Sequence, residues 1–303
     1  MAIKVSAIGF APIKSTKFNW VESTDIIERG IRYDREWLVV EGSMFVAQRH
    51  GSLPVPLPNV VTSALGKLGL GIEVKTMCQV SARLESGNLV VTAPNMPLLS
   101  IPLNASRPPN EFVQVWRDSE LAALSEGVEA EEWFTKFLSR ERKGKYRLVR
   151  MASSCQRRSK GGSAIQAFHD GFPFMMIGNA SLDSLSQRLV EQGCSHVPMN
   201  RFRPNVVLST TEPHEEDHFA SMRIGPVVFR GGKLCDRCVI TCTDQDTAER
   251  GREPLRTLAQ YRRGRDIGFD SETDNKVYFG RNFDHLNQGE IKVGDLVEVL
   301  RRD

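Results

Sequence analysis

The chain has 303 residues, of which 40% are hydrophobic and 25% are charged, and its formal net charge is +3. These values are typical of a globular protein with room for two domains, and the charge is too small to indicate nucleic-acid binding. No stretch approaches the roughly 18 apolar residues of a membrane span, and the N-terminus does not resemble a signal peptide. We therefore expect a cytoplasmic protein that binds neither nucleic acid nor membrane, with its six cysteines present as free thiols or ligands.

Residues 1 to about 120 consist of short segments rich in β-branched and aromatic residues, separated by turn signals. This spacing favours a mostly antiparallel sheet or a small barrel. The predicted strands are "KVSAIGF", "EWLVV", "MFVAQ", "GIEVKT", "NLVVTA" and "EFVQVW". The stretch "SLPVPLPN" is predicted to be a loop, because proline does not fit a central strand.

The segment "GVEAEEWFTKFLSRERKG" predicts a helix near the middle of the chain. Its aromatic and leucine residues form one apolar face, with acidic residues early and basic residues late, as the helix dipole favours. We place the domain boundary before this helix. The prediction is an N-terminal β domain over residues 1–122 and a second domain over residues 123–303.

The second half of the chain predicts further strands and two helices. The segment "ASSCQRRSKGGSA" is polar, basic and glycine-bearing, which indicates a mobile loop. The helix in "ASLDSLSQRLVEQG" is expected to end at Gly193, and Pro254 is expected in the first turn of a short helix in "EPLRTLAQYR". The predicted strands are "KYRLVRM", "NVVLS", "MRIGPVVFRGG", "LCDRCVITC" and "IKVGDLVEVL". The expected class is α+β and rich in β structure.

Three cysteines, Cys235, Cys238 and Cys242, lie within eight residues of one another. A structural zinc site requires a second ligand pair at finger or ribbon spacing, and the sequence has none. A redox dithiol is expected at a helix N-terminus, whereas "VITCT" is strand-forming. Cys242 fits a buried, inert thiol. Cys238 follows Asp236 and Arg237, which favours an exposed thiolate that is suited to a soft metal centre.

The pattern "CDRCVIT…D.DT…EPLRTL..YR" resembles the signature of the MOSC domain of molybdenum-cofactor proteins. The chain is most similar to the branch of that family formed by the mitochondrial amidoxime-reducing component and its bacterial two-domain relatives. The resemblance covers nearly the whole chain in the family's order. It also rests on "APIKS", "GIRYDREWLVV", "FVAQRHGSLP", "HDGFPFMMIGNASLDSLSQRL", "NRFRPNVVLS" and "GEIKVGDLVEVL".

This resemblance implies an N-terminal β-barrel-like domain followed by a MOSC β-barrel domain with a few peripheral helices. It also implies a molybdenum cofactor (molybdopterin), with Cys238 as the catalytic residue that supplies the protein sulfur to molybdenum. The pterin and its phosphate need a polar, cationic cradle. The residues that match the family's cradle are Lys14, Ser15, Arg35, Asp170, Arg203, Asn205, Asp236 and Arg237.

Several of these residues also have an ordinary structural explanation. Lys14 would then be a solvated loop lysine, Arg35 would pair with Asp34 or Glu36 on the surface, and Asn205 and Asp170 would be turn residues. Arg203 lies at the head of an apolar strand, where a buried arginine without an anion is costly. The stretch "QRRSKGG" would gate substrate entry, bind an acidic electron donor, or be only a solvated connection.

The activity that the resemblance implies is reduction of N-hydroxylated compounds such as amidoximes, hydroxylamines and hydroxylaminopurines. Nothing after "VEVLRRD" leaves room for an iron–sulfur domain, so we expect electrons from a separate ferredoxin, flavoprotein or cytochrome b5-type protein. One alternative is a sulfur carrier for cofactor maturation, with a persulfide on Cys238. A second alternative is a cofactor-free β scaffold that binds anions.

Overall fold

The computed structural model describes residues 2–48, 71–105, 110–268 and 275–303. The predicted proline-rich loop at residues 52–59 lies outside these ranges. Within them the protein is rich in β structure, with three α-helices: α1 (Val128–Leu138), α2 (Asn179–Glu191) and α3 (Leu255–Leu258). The first ten strands are β1 (Val5–Phe10), β2 (Asn19–Val21), β3 (Ser23–Ile27), β4 (Gly30–Ile31), β5 (Trp37–Glu41), β6 (Met44–Ala47), β7 (Ile72–Glu73), β8 (Ser81–Glu85), β9 (Asn88–Thr92) and β10 (Leu99–Pro102). The others are β11 (Glu111–Val115), β12 (Asp118–Ser125), β13 (Arg147–Met151), β14 (Phe174–Gly178), β15 (Val206–Leu208), β16 (Phe219–Ile224), β17 (Val227–Asp236), β18 (Tyr278–His285), β19 (Gly289–Lys292) and β20 (Val297–Arg302).

Five strands close into a small barrel in the order β11-β12-β13-β5-β6, and a parallel contact between Gln114 and Met44 joins the last strand to the first. Strand β5 is buried on both faces. Leu38 and Val40 pack with the strands of the barrel, whereas Trp37 and Val39 pack with helix α1 and the β8–β10 sheet. This explains why "WLVV" is continuously apolar rather than alternating.

An eight-stranded, curled sheet forms the second layer, in the order β2-β1-β15-β14-β18-β17-β16-β20. Only β14 and β15 pair in parallel, and the other pairs are antiparallel. Its core contains the buried rings of Phe174, Phe219, Phe229 and Phe283. Helix α2 packs Leu185 and Leu189 onto this sheet. The predicted β-rich class with a few peripheral helices is thus confirmed.

Both halves of the sequence contribute strands to both layers. Strand β1 pairs with β15 in the curled sheet, whereas β13, which follows helix α1, pairs with β5 in the barrel. The boundary between residues 122 and 123 therefore stays a prediction. In the described ranges no helix is both long and apolar enough to cross a membrane.

Two local predictions are wrong. The segment "VITC" was expected to be a strand, but β17 ends at Asp236 and Val239–Cys242 is a 3₁₀ helix. The 3₁₀ turn forms because the Thr241 backbone N–H and hydroxyl both donate hydrogen bonds to the Cys238 carbonyl, at 3.1 and 3.0 Å. Pro254 was expected in the first turn of α3 but precedes the helix. Helix α2 ends before Gly193 as predicted, with this glycine at a φ of 72°.

Candidate functional site

A cavity of about 630 Å³ opens between the barrel and the curled sheet. Its lining comes from the segments after β1, β4 and β6, the β11–β12 turn, the segments before β14 and β15, and the end of β17. All nine residues predicted for the site line this one cavity, although they come from distant parts of the chain. They are Lys14, Ser15, Arg35, Asp170, Arg203, Asn205, Asp236, Arg237 and Cys238.

The lining carries far more positive than negative charge. Eight lysines and arginines face three aspartates, which makes the cavity suited to an anionic ligand. The basic residues are Lys14, Arg35, Arg117, Lys160, Arg201, Arg203, Lys233 and Arg237, and the acidic ones are Asp118, Asp170 and Asp236.

Lys14 lies at the floor of the cavity and is not a solvated loop lysine. Only 6% of its side chain is exposed, and its ammonium donates to Asp170 Oδ1 at 2.5 Å and to the Phe168 carbonyl at 2.7 Å. Burial lowers the pKa of Lys14 to about 8, against the opposing effect of Asp170. A buried ammonium of this kind is stabilised when an anion approaches it.

Asp34 contacts several residues at the floor of the cavity through its carboxylate. The sequence had suggested it only as a surface partner of Arg35. Its carboxylate is fully buried and accepts from the Ala11 backbone at 2.9 Å, from Asn205 Nδ2 at 2.7 Å and from the Arg35 guanidinium. His169 Nε2 lies 3.1 Å from the same carboxylate. Burial opposes ionisation, but the charge of Arg35 and the contact with His169 outweigh it and lower the pKa of Asp34 to about 2.

Asn205 is a lining residue whose amide is already engaged within the protein. Besides Asp34, its Nδ2 lies 3.3 Å from the Gly9 carbonyl, and its Oδ1 accepts from the Met175 backbone at 3.2 Å. Its influence on a ligand is therefore indirect, through the orientation of Asp34. The neighbouring His169 is buried, and burial lowers its pKa to about 4, so its imidazole is neutral at pH 7.

Four lining residues hold a left-handed backbone conformation, which is uncommon for residues other than glycine. The φ angles are 70° for Ser15, 52° for Arg35, 56° for Trp116 and 58° for Arg203. Each such residue costs about 1–3 kcal/mol and persists only where its surroundings impose it. Their clustering around one cavity indicates a functional constraint on that wall.

Arg203 carries an orphaned donor beside the cavity. Its Nη1 donates to the Thr16 carbonyl at 2.6 Å, but its Nη2 is buried without a hydrogen-bond partner among the described residues. Burial, with the nearby Arg35 charge, lowers the pKa of Arg203 to about 10, so it is still charged at pH 7. Its guanidinium also stacks over Phe18, 5.2 Å from the ring centroid.

Cys235 and Cys238 both line the cavity. Cys235 lies at the end of β17, and Cys238 lies two residues beyond it. Arg237 is tied to the protein, because its Nε donates to the Phe279 carbonyl at 2.8 Å and its Nη1 to the Phe202 carbonyl at 3.2 Å. Asp236 pairs with Lys233 at 2.5 Å. Although burial opposes it, Lys233 lowers the pKa of Asp236. Cys242, in contrast, is buried as predicted.

The loop at residues 157–163, called the anchored loop below, borders the cavity through Lys160. It was predicted to be mobile, yet its contacts fix it. The Ser159 and Ser163 hydroxyls donate to the buried Asp284 carboxylate at 2.8 and 2.6 Å. Arg157 donates to the carbonyls of Ala167 and His169, at 2.8 and 2.6 Å. Asp284 lies far along the chain, in β18, so sequence alone did not reveal this anchor.

The residues of the cavity fit a molybdenum cofactor. Cys238 offers a soft sulfur ligand, while Lys14, Arg35 and the orphaned Nη2 of Arg203 offer donors to a phosphate. In the described ranges no group of three or more histidine, cysteine, aspartate or glutamate residues is arranged to hold a metal. Sequence analysis missed Asp34 and His169, although each lies next to a predicted residue in "YDREW" or "HDG".

The basic cavity between the small barrel and the curled sheet, with Cys235 and Cys238 in its lining, defines a class of β-rich protein with an anion-binding site. Comparison with known proteins identifies the family. The MOSC domain model matches residues 165–298, and the MOSC N-terminal beta barrel domain model matches residues 72–141. The chain belongs to this two-domain MOSC family, together with the amidoxime-reducing components.

The curated relatives include two kinds of protein by name, amidoxime-reducing components and molybdenum cofactor sulfurases. The rat "Mitochondrial amidoxime reducing component 2" is 30% identical over 97% of this chain and 82% of its own length. The mouse "Mitochondrial amidoxime-reducing component 1" is 30% identical over 98% and 82%. A "Molybdenum cofactor sulfurase" of Drosophila grimshawi is 27% identical over 96% of this chain but only 34% of its own length. Among solved structures, the match to the YUAD protein from Bacillus subtilis covers 98% of this chain and 95% of that one, at 8% identity. Its TM-score of 0.35 is too low to establish a shared fold.

Proposed function

We propose that the protein is a molybdenum-cofactor-dependent oxidoreductase that reduces small N-hydroxylated compounds. The observation that carries this proposal is that Cys238 lines a cavity whose walls bear eight basic and three acidic side chains. A bound molybdenum cofactor would supply two-electron chemistry and accept the oxygen atom. In the overall reaction the N–O bond breaks, and the oxygen leaves as water after two electrons and two protons are taken up.

In this proposal the residues of the chain bind and orient the cofactor. Cys238 is the metal ligand and catalytic residue, and Lys14, Arg35 and Arg203 bind the cofactor phosphate at the cavity floor. Ser15 supplies a backbone wall in a left-handed conformation. Asp170 orients Lys14, and Asn205 orients Asp34. Asp236 and Arg237 hold the end of β17, and with it the position of Cys238.

Relatives named amidoxime-reducing components support the choice of N-hydroxylated substrates. We propose that a separate redox protein, of ferredoxin, flavoprotein or cytochrome b5 type, delivers the electrons. An artificial reductant replaces this partner in the assay below, so the substrate proposal is tested independently of the donor.

The test is reduction of an amidoxime by protein produced in a host that makes molybdenum cofactor, beside quantification of bound molybdenum. We expect the wild-type protein to contain molybdenum and to reduce the amidoxime, and Cys238→Ser to lose at least about 100-fold in rate because the metal loses its protein sulfur. Cys194→Ser is the matched control, since Cys194 is half-buried and outside the cavity lining. Full activity of Cys238→Ser would contradict the role of Cys238 as the metal ligand, whereas a wild-type protein with neither bound molybdenum nor reductase activity would favour an anion-binding scaffold.

A second candidate is a sulfur carrier for cofactor maturation, favoured by the relative named molybdenum cofactor sulfurase. Cys238 would then hold a persulfide and transfer its outer sulfur to a cofactor. Mass spectrometry of protein incubated with an inorganic polysulfide separates the two, because the Cys238 thiolate attacks an S–S bond of the polysulfide, keeps the outer sulfur as a persulfide and releases a shorter polysulfide. A persulfide on Cys238, together with an absence of molybdenum in wild-type protein, would support the carrier and contradict the reductase.

A further inference from the structure

The cavity has a floor and a mouth that differ in how their charges are balanced. The floor is formed by the buried or nearly buried lining residues, among them Lys14, Arg35 and Arg203. The mouth is formed by the six exposed charged residues of the lining. They are Arg117, Asp118, Lys160, Asp170, Lys233 and Asp236.

Every carboxylate of the mouth is already paired. Asp118 accepts from Arg157 at 2.6 Å, Asp170 accepts from Lys14 at 2.5 Å, and Asp236 accepts from Lys233 at 2.5 Å. Two cations are left over, because neither Arg117 nor Lys160 has an ion-pair partner in the part of the chain that the structure describes. The mouth therefore offers two cations without a carboxylate partner among the described residues, in addition to the basic residues of the floor.

The backbone and the aliphatic stem of Lys160 are positioned by neighbouring residues, while its ammonium is exposed. Its backbone N–H donates to the Gly171 carbonyl at 2.7 Å, and the anchored loop is fixed to Asp284. Its aliphatic stem lies across Gly171, where a Cβ atom would come within 2.8 Å of Lys160 Cδ and 3.2 Å of Cε. The absence of a side chain at position 171 lets this lysine lie against the cavity wall.

An aromatic surface adjoins this lysine. Phe172 lines the cavity, and its ring lies against two glycines, because a Cβ atom at Gly232 or Gly161 would come within 2.5 or 2.9 Å of ring carbon Cε1. A planar ligand can pack on this ring while its polar end faces the two free cations.

We propose that the mouth selects N-hydroxylated substrates that are planar and carry an anionic group, with Lys160 and Arg117 binding that group and Phe172 packing on the ring. This inference rests on the proposed reductase function and names its substrate class. A carboxylate or a phosphate satisfies the same two cations. The cofactor phosphate belongs to the floor, where the basic residues are buried.

The test compares 4-carboxybenzamidoxime with its methyl ester, which has the same ring and the same reacting group but no charge. With an artificial reductant held constant, kcat/KM for the carboxylate is expected to exceed that for the ester by about fivefold, as for an exposed ion pair of about 1 kcal/mol. The preference should shrink in 0.5 M salt, since exposed charges are screened. A second pair, an N-hydroxyadenosine and its 5′-phosphate, shows whether phosphate is preferred over carboxylate.

Three variants locate the effect. Lys160→Gln should lower the carboxylate preference and leave only the contribution of Arg117. Gly171→Ala should act in the same direction without any change of charge, because the new methyl group displaces the lysine stem. Arg158→Gln is the matched control. Arg158 is an exposed cation of the same loop that does not line the cavity, so its loss should leave the preference unchanged.

Calorimetric binding of the two amidoximes, with and without bound cofactor, gives a readout that does not depend on turnover. Reduction of both compounds with equal efficiency, or equal effects of Lys160→Gln and Arg158→Gln, would overturn this inference and leave the reductase intact. Absence of any reduction would contradict the reductase, and binding alone would then decide whether the mouth prefers the anion. An effect of Lys160→Gln only on the rate with a protein electron donor would assign these cations to partner docking instead.

Discussion

Asp34 shows how one buried carboxylate organises residues that contact a ligand. It connects the segment after β1, the left-handed Arg35, His169 before β14, and Asn205 before β15. A buried ion pair is weak evidence for stability, but removal of one partner leaves an uncompensated charge and is strongly destabilising. From the sequence, a surface pair of Arg35 with Asp34 or Glu36 was only the alternative to a role of Arg35 in cofactor binding. The pair with Asp34 is present, but Asp34 is fully buried.

We predict that Asp34→Asn lowers the free energy of unfolding by about 3 kcal/mol, because the charge of Arg35 then stays buried without its partner. Asp25→Asn is the matched control. It breaks an Asp–Arg pair in which Arg32 and Asp25 are 48% and 54% exposed, and it should cost less than about 1 kcal/mol. Denaturant unfolding at pH 7 measures both, and equal losses would contradict the role of Asp34 as a hub.

The pH dependence of this contribution has a definite sign. The pKa of Asp34 is lowered to about 2 in the folded protein, so its stabilising effect is complete above the ordinary pKa of aspartate. It is lost as the pH falls through that range towards 2. The difference in stability between wild type and Asp34→Asn should therefore narrow below about pH 4.

The first turn of helix α2 contacts a buried acidic residue, Glu216. Glu216 lies under the first turn and accepts from the Ser181 hydroxyl at 2.8 Å through both carboxylate oxygens. Burial, with the neighbouring Asp217, raises the pKa of Glu216 to about 7. The folded protein therefore holds a proton there at pH values at which the unfolded chain has released it.

Stability should consequently fall as the pH rises from about 4.5 to about 7, because the folded state binds more protons over that range. We predict that Glu216→Gln removes this decline, and that the variant is more stable than wild type at pH 8 by roughly 1–3 kcal/mol. Glu212→Gln, an exposed substitution four residues earlier, should leave the decline in place. Parallel stability curves for Glu216→Gln and wild type from pH 5 to 8 would refute this assignment.

Two segments have structures that their local sequence patterns did not predict. The residues "VITC" have strand propensity, but Cys238 lies at a point where Thr241 satisfies its carbonyl locally and a 3₁₀ turn forms instead. The anchored loop is polar and glycine-bearing, as a mobile segment would be, yet Asp284, about 120 residues away in sequence, holds it. The first contact is local but does not follow from strand propensity, and the second joins the segment to a residue far along the chain.

For the whole molecule, the β-rich class, helix α1 with its apolar face and the end of α2 were predictable, because each depends on periodicity or on a single glycine. The set of cavity residues was predictable only through the family resemblance, since they come from many separate segments. The roles of Asp34 and His169 were not predictable, because burial and hydrogen-bond partners depend on how the barrel and the curled sheet meet. Arg117 and Lys160 have no ion-pair partner among the described residues because nearby carboxylates pair with other cations. Two of these pairs, Asp170 with Lys14 and Asp118 with Arg157, join segments that are distant in sequence.

The proposed function requires that the sulfur of Cys238 be bonded to molybdenum in the loaded protein. X-ray absorption at the molybdenum edge tests it directly, by counting sulfur neighbours in wild type, Cys238→Ser and Cys194→Ser. We expect one sulfur neighbour fewer in Cys238→Ser, or loss of the metal altogether, and an unchanged spectrum in Cys194→Ser. A full complement of molybdenum with the same sulfur count in Cys238→Ser would contradict it.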